Sequence, residues 1–145
     1  MTKYGAALAG LALVTLGATA RAGDEAPSHL ACTFEAGTSW SYDAGVFKSA
    51  PPSKLAFEIA GINLEGQSAD LIMNGVTSGK FRIVRALNAN HFLEVANEGF
   101  LNLTTVYDLD PATNAYPAVH SRHFGILGQP VFAQYAGACT AKADK

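Results

Sequence analysis

The sequence predicts an all-β fold, a small antiparallel barrel or sandwich of about eight strands whose ends are joined by one disulfide. Three observations carry that expectation. Beyond residue 22 the apolar residues fall in short runs rich in aromatic and β-branched side chains, cut by Gly, Asn and Pro, and helical spacing is almost absent. No helix-length spacer separates the runs, so neighbouring strands pair directly and antiparallel. The two cysteines, Cys32 and Cys139, stand at the start and end of the strand-rich region, where a closed barrel brings its first and last strands together.

The elements follow in order. Residues 1–22 have the layout of a secretory signal peptide: Lys3 near the start, an uncharged apolar run from Gly5 to Ala20, and small residues in A-x-A spacing at Ala18–Ala20 or Ala20–Ala22. The run is shorter than the ~20 residues of a membrane-crossing helix. Cleavage near Ala20 or Ala22 places the mature chain in a periplasm or outside the cell, where two cysteines read first as one disulfide. His29, three residues before Cys32, together with Asp24 and Glu25, departs from the pattern of a lipid-modified cysteine. Residues 23–31 read as a flexible arm, 32–140 as a single β domain and 141–145 as a tail.

Within the domain, "TFEAGTSWSYDAGVF" reads as the front strand, with Trp40, Tyr42 and Phe47 in a glycine-punctuated stretch before the turn "SAPPS". "LAFEI" puts Leu55, Phe57 and Ile59 on one face and Glu58 on the other. "ADLIMN" and "KFRIVRA" follow, separated by "GVTSG", and "HFLEVA" meets "FLNLTTVYD" across a turn at Asn97–Gly99. In the latter run Leu101, Leu103, Thr105 and Tyr107 form an apolar face and Asn102, Thr104 and Val106 a mixed one, the pattern of a half-buried strand. "VHSRHF" and "PVFAQY" complete the series.

Composition excludes several functions. Without its leader the chain is mildly acidic and its lysines and arginines are scattered. Neither nucleic-acid phosphates nor an anionic membrane surface meets a basic patch, and no later apolar stretch is long enough to span a membrane. About 120 mature residues make one domain with one modest core.

Candidate chemistry centres on "PAVHSRHFGILGQPVFAQY". Pro117 and Gly125 leave too little chain between them for a comfortable helix. As a strand, the segment puts His120 on a face with Arg122 and Phe124, and His123 on the other with Val119 and Ser121, so the two imidazoles do not chelate one metal together. A buried His120 or Arg122 needs hydrogen-bond partners, which implies a polar network within the domain. His91 and Glu94 fall on opposite faces in the same way. There is no HExxH, CxxC or G-x-S-x-G motif, and neither a metal nor a cofactor is expected. "DLDPATN" offers Asp108, Asp110 and Asn114 but continues with Pro111-Ala112 where a calcium loop needs an oxygen ligand and then Gly, so it reads as a proline turn. "NLT" at Asn102 fits an N-glycosylation acceptor.

The resulting expectation is a non-enzymatic exported binding module for a small amphipathic molecule or another exported protein. Its working surface is expected at His120, Arg122, His123, Ile126 and Leu127, with Arg85 and Trp40. Arg85 ends the Phe81/Ile83 face, which sets a cation at the barrel rim beside an apolar wall and suits an amphipathic anion. The loop "FGILGQP" offers Ile126 and Leu127 as anchors for a partner. Two alternatives stand beside it: an inhibitor of a lytic or proteolytic enzyme, by analogy with other small exported barrels, and a hydrolase-type enzyme using His120 and His123.

Overall fold

The computed structural model describes residues 26–95, 99–126 and 128–143. The signal-peptide reading, Asn97 and Glu98 of the turn expected at Asn97–Gly99, and the end of the tail lie outside the described residues. Nine strands run through the described chain: β1 (Leu30–Asp43), β2 (Val46–Ala50), β3 (Leu55–Asn63), β4 (Ser68–Met73), β5 (Val76–Arg85), β6 (Ala89–Val95), β7 (Leu101–Tyr107), β8 (Tyr116–Ile126) and β9 (Gln129–Ala141). Every pairing is antiparallel, and β1 pairs with β9, so β1 and β3 to β9 close an eight-stranded barrel with β2 as an extra strand. The expected choice between barrel and sandwich resolves to the barrel. Among the described residues no helix is long and apolar enough to cross a membrane.

Two strand expectations are corrected by turn chemistry. The front segment is a hairpin of two strands rather than one, because Ala44 (φ 49°) and Gly45 (φ 88°) both adopt the left-handed conformation of a tight hairpin turn. "GVTSG" is mostly strand: Asn74 (φ 52°) and Gly75 (φ 78°) make the turn, and β5 begins at Val76.

Closure depends on the seam between β1 and β9. Cys32 pairs directly with Cys139, and their disulfide spans a sequence separation of 107. A bulge between Phe34 and Ala36 lets β1 change partners. Below it Leu30–Phe34 pair with β3, and above it Ser39–Asp43 pair with β2. The backbones approach so closely here that a Cβ on Gly137 would lie 2.0 Å from the Thr33 carbonyl oxygen, and one on Gly37 would lie 2.3 Å from that of Gln134.

The barrel also takes up part of the stretch expected to be a flexible arm. Leu30 and Ala31 belong to β1, Ile62 N donates to the Ser28 carbonyl at 2.9 Å and Lys142 N donates to that of His29 at 2.9 Å. Glu58 accepts from Lys142 Nζ at 2.6 Å and pairs with His29 Nε2 at 2.8 Å. These two partners, Lys142 foremost, hold its carboxyl below the usual range. Backbone pairing and this cluster tie both ends of the domain to β3.

Side chains point inward in cross-strand rows. One row holds Tyr116, Cys139, Cys32 and Phe57, a middle row Phe92, Thr104, His120, Tyr135 and Gly37, and a third Glu94, Asn102, Arg122, Ala133 and Ser39. Phe57, Ile59, Phe81 and Ile83 are buried as the alternation predicts. Strand β7 is inverted relative to its apolar pattern. Asn102, Thr104 and Val106 face the interior, whereas Leu101 (43% exposed) and Leu103 (38%) face outward. The reason lies in the neighbours: Thr104 meets His120 and Asn102 meets Glu94, two buried groups that need polar partners.

The seam makes two predictions. Replacing both cysteines by Ser should lower unfolding free energy by about 2–5 kcal/mol, read from urea midpoints, because a loop of this length is freed in the unfolded chain. Gly137→Ala should destabilise the intact disulfide form by about 1–3 kcal/mol or more, since the new methyl meets backbone that cannot rotate away; an unchanged midpoint would show that β1 and β9 separate freely at that point.

Candidate functional site

The sequence-predicted site residues divide among three places. His120 and Arg122 point into the barrel from β8. Trp40 and His123 point outward, where Phe132 lies between them, stacked on Trp40 at 4.9 Å and on His123 at 6.2 Å. Arg85 is exposed and lies at the terminal end of the barrel, where the described chain begins and stops. Leu127 and the side chain of Ile126 lie outside the described residues. Because His120 and His123 face opposite sides of the wall, no single reacting atom touches both, and the two-histidine hydrolase reading has no geometry to rest on.

The centre of the barrel is filled by aromatic rings. Phe34 stacks on Phe57 at 5.5 Å, Phe81 meets Phe92 edge-on at 5.8 Å, and the His120 ring packs 5.3 Å from Phe57 and 5.8 Å from Tyr135. His120 is 5% exposed and its Nδ1 shares a hydrogen bond with Thr104 Oγ1 at 2.8 Å. Desolvation first, and the charge of Arg122 second, lower its pKa from 6.5 to about 4. The segment "VHSRHF" is thus a strand whose inner face carries His120 and Arg122, with His120 in a buried polar pair.

This aromatic layer separates two cavities. At the terminal end a pocket of about 250 Å³ is walled by Leu30, Ile62, Leu64, Phe92, Val106 and Leu109, with Asn90, Tyr107, Asp108 and Tyr116 as the lining residues that bear polar groups. Arg85 pairs with Asn90 in register but is not part of the lining. At the other end, the hairpin end, a cavity of about 40 Å³ is lined by apolar Phe57, Leu71 and Phe81 and by polar Glu94, Asn102, His120 and Arg122. Asn102 Nδ2 donates to Glu94 Oε2 at 2.7 Å. Asn102 Oδ1 and Arg122 Nε are buried without a hydrogen-bond partner. Gly79 makes room for this cluster, since a Cβ there would lie 2.6 Å from Glu94 Oε1. Above it, Phe100 stacks on Phe124 at 5.3 Å and the Arg122 guanidinium lies 5.9 Å from the Phe124 ring centre.

Three further sequence readings meet the structure. Asn102 faces the interior at 8% exposure, so the "NLT" acceptor is sealed in the folded barrel. His91 bonds Thr105 Oγ1 from the outer face while Glu94 faces inward. Asp110 accepts from Ala112 N at 2.9 Å and from Thr113 Oγ1 at 2.9 Å, which makes it the organiser of a proline turn. Among the described residues no group of three His, Cys, Asp or Glu is arranged to hold a metal. What sequence reasoning missed is Glu94 and Asn102 as partners; the signal was the polar face of β7, read as the outer one.

Comparison with family models, curated proteins and solved structures finds no match for this chain.

The histidine gives a pH prediction. The unfolded chain protonates this imidazole below pH 6.5, the folded chain only below about 4, so its contribution is full above pH 6.5 and is lost as pH falls through that window. At about 1.36 kcal/mol per unit, lowering the pH from 7 to 5 should cost up to about 2 kcal/mol, read from urea midpoints. Glu58 loses its contribution only as pH falls below 4.5, outside that interval. In His120→Gln the midpoints at the two pH values should converge.

Proposed function

We propose that the chain is an exported, non-enzymatic binding module that holds a small amphipathic molecule at the terminal end of its barrel. The pocket of about 250 Å³ is the observation that carries this reading, because most of its lining residues are apolar, with Asn90, Tyr107, Asp108 and Tyr116 as the ones that bear polar groups. An apolar cavity of about 150 Å³ suffices for benzene, so the ligand is of the size of an aromatic ring with a short polar arm. Asp108, itself exposed to solvent, is the one charged residue of the lining, so the arm is a cation or a neutral donor. This replaces the amphipathic anion that Arg85 had indicated; Arg85 stays in solvent. The leader sequence and the disulfide between Cys32 and Cys139 support the exported setting.

The test has two parts. Native mass spectrometry of protein purified from its own exported fraction should show an excess mass that denaturation removes. In the stripped protein, 2-phenylethylamine should bind about tenfold more tightly than 3-phenylpropionate, a difference of about 1.4 kcal/mol, and Leu109→Trp should block both. Tighter binding of the propionate would return the site to Arg85 and an anion; no binding of either, with no excess mass, would remove the carrier reading.

A second reading, a protein partner such as a lytic or proteolytic enzyme, is favoured by one observation on the outer wall. The half-buried Trp40 and Phe132, with the exposed His123, form an outer row that continues into Tyr42 and Phe47, which is 54% exposed, and borders a shallow depression beside Val119 and Gln134. Trp40→Ser with Phe132→Ser should abolish capture of such a partner and leave phenylethylamine binding unchanged.

A further inference from the structure

We propose that the outer wall of strands β6 to β9 is the face at which two copies of this chain meet about a two-fold axis. The only charged residues on these four strands are Glu94 and Arg122, and both face the interior. Every outward position on them is therefore without Asp, Glu, Lys or Arg. The other side of the barrel differs, because Glu58, Asp70, Lys80 and Arg82 point outward from β3, β4 and β5. At the centre of the uncharged wall Leu93 stands directly opposite Leu103, and Leu103 opposite Ser121. Leu101, Leu103 and Val119 are exposed there. The wall continues onto β1 at Ala36 and Thr38, opposite Ala136 and Gln134, and its other flank ends at Arg82, opposite Leu93.

Charge and extent both favour a second copy as the covering. On a two-fold interface the same patch meets itself, so a charge near the axis faces its like. This wall has no such charge. Its polar side chains at Thr38, Ser121 and Gln134 each both donate and accept hydrogen bonds, so they can pair with copies of themselves. With strands about 4.8 Å apart and about 3.4 Å per residue, five strands of about seven residues span roughly 24 by 24 Å, the order of the ~800 Å² that each partner gives to a standard interface. A lipid surface suits the wall less, since Ser121 and Gln134 would lack partners in hydrocarbon and no basic patch draws it to anionic headgroups. The wall meets the Trp40–Phe132 row at His123, but its centre on β7 lies two strands from Phe132. Its test uses neither that row nor the pocket, so this inference holds or fails apart from both readings above.

Sedimentation equilibrium of the mature protein, purified from its exported fraction, should give twice the chain mass at micromolar concentration. Leu103→Lys sets two lysines against each other across the axis and should weaken the association at least about tenfold. The same change on the charged side, Ile72→Lys opposite Glu58, should leave it unaltered. In the parent protein, isotope-filtered NOEs between a ¹³C-labelled and an unlabelled copy should join the methyl groups of Leu101, Leu103 and Val119 across the two chains, a readout that does not depend on any variant folding. A parent that sediments as a monomer would overturn the proposal, and binding of that monomer to phosphatidylcholine vesicles would assign the wall to lipid. A dimer that Leu103→Lys leaves intact, or that shows no such NOEs, would place the contact on another face and overturn it equally.

Discussion

The close approach of β1 and β9 is the constraint on which the rest of the molecule depends. A row of eight antiparallel strands has two free edges until its first strand meets its last, and the closed form exists because these two backbones lie within contact of each other. Gly37 and Gly137 permit that approach, the bulge after Phe34 lets β1 serve different partners along its length, and the Cys32–Cys139 bond holds the pair covalently. Closure then fixes what is inside. Once β9 is set against β1, its Tyr135 and Cys139 face the axis, and β8 must present Tyr116, Ala118, His120 and Arg122 to the same space.

That consequence explains why the interior is not uniformly apolar. Register in a sheet is all-or-none, because a slip of one residue turns every side chain to the opposite face. For β7 such a slip would bury Leu101 and Leu103 and expose Asn102 and Thr104, a gain on hydrophobic grounds alone. It does not occur, because His120 and Glu94 would then lose the Thr104 and Asn102 bonds while remaining buried. The polar pairs therefore specify the register of β7 between β6 and β8, and the outward leucines are the consequence.

The same reasoning shows how much was legible in the sequence. The strand class, the closure and the disulfide were legible because period-2 alternation and the position of two cysteines are local or nearly local signals. The faces of β3 and β5 were legible too: Phe57 with Ile59 and Phe81 with Ile83 fall where alternation puts them, whereas in β8 alternation groups His120 with Arg122 but, with one apolar residue on each face, does not say which face is inward. The faces of β7 were not, since the correct choice depends on His120 from β8 and Glu94 from β6, and pairing partners do not appear in a single strand's pattern. The candidate site fared likewise. His120 and Arg122 were identified as members of a polar network, but Trp40 and His123 were grouped with them only because they are near in sequence or similar in kind, and the wall of the barrel separates them. The pocket at the terminal end drew on Leu30, Ile62 and Leu109, ordinary apolar residues from different strands and loops whose convergence only the closed fold reveals.

The two ends of the barrel differ for a physical reason that bears on function. An interior designed only for stability would carry apolar side chains through every row, since an isolated buried polar group costs more than it returns. Here apolar rings fill the middle, and polarity rises toward the hairpin end, from Thr104 and His120 to Glu94, Asn102 and Arg122. The Thr104–His120 pair is satisfied within the protein. The next row is satisfied on one side only: Glu94 has Asn102, whereas the far oxygen of Asn102 and the Nε of Arg122 have no protein partner. Register specification accounts for the first pair and for the Glu94–Asn102 bond, but not for Arg122, whose removal would leave both bonds intact. Arg122 has a separate contact: its guanidinium lies 5.9 Å from the Phe124 ring centre, a cation–π pairing at the hairpin end that neither of the two hydrogen bonds requires.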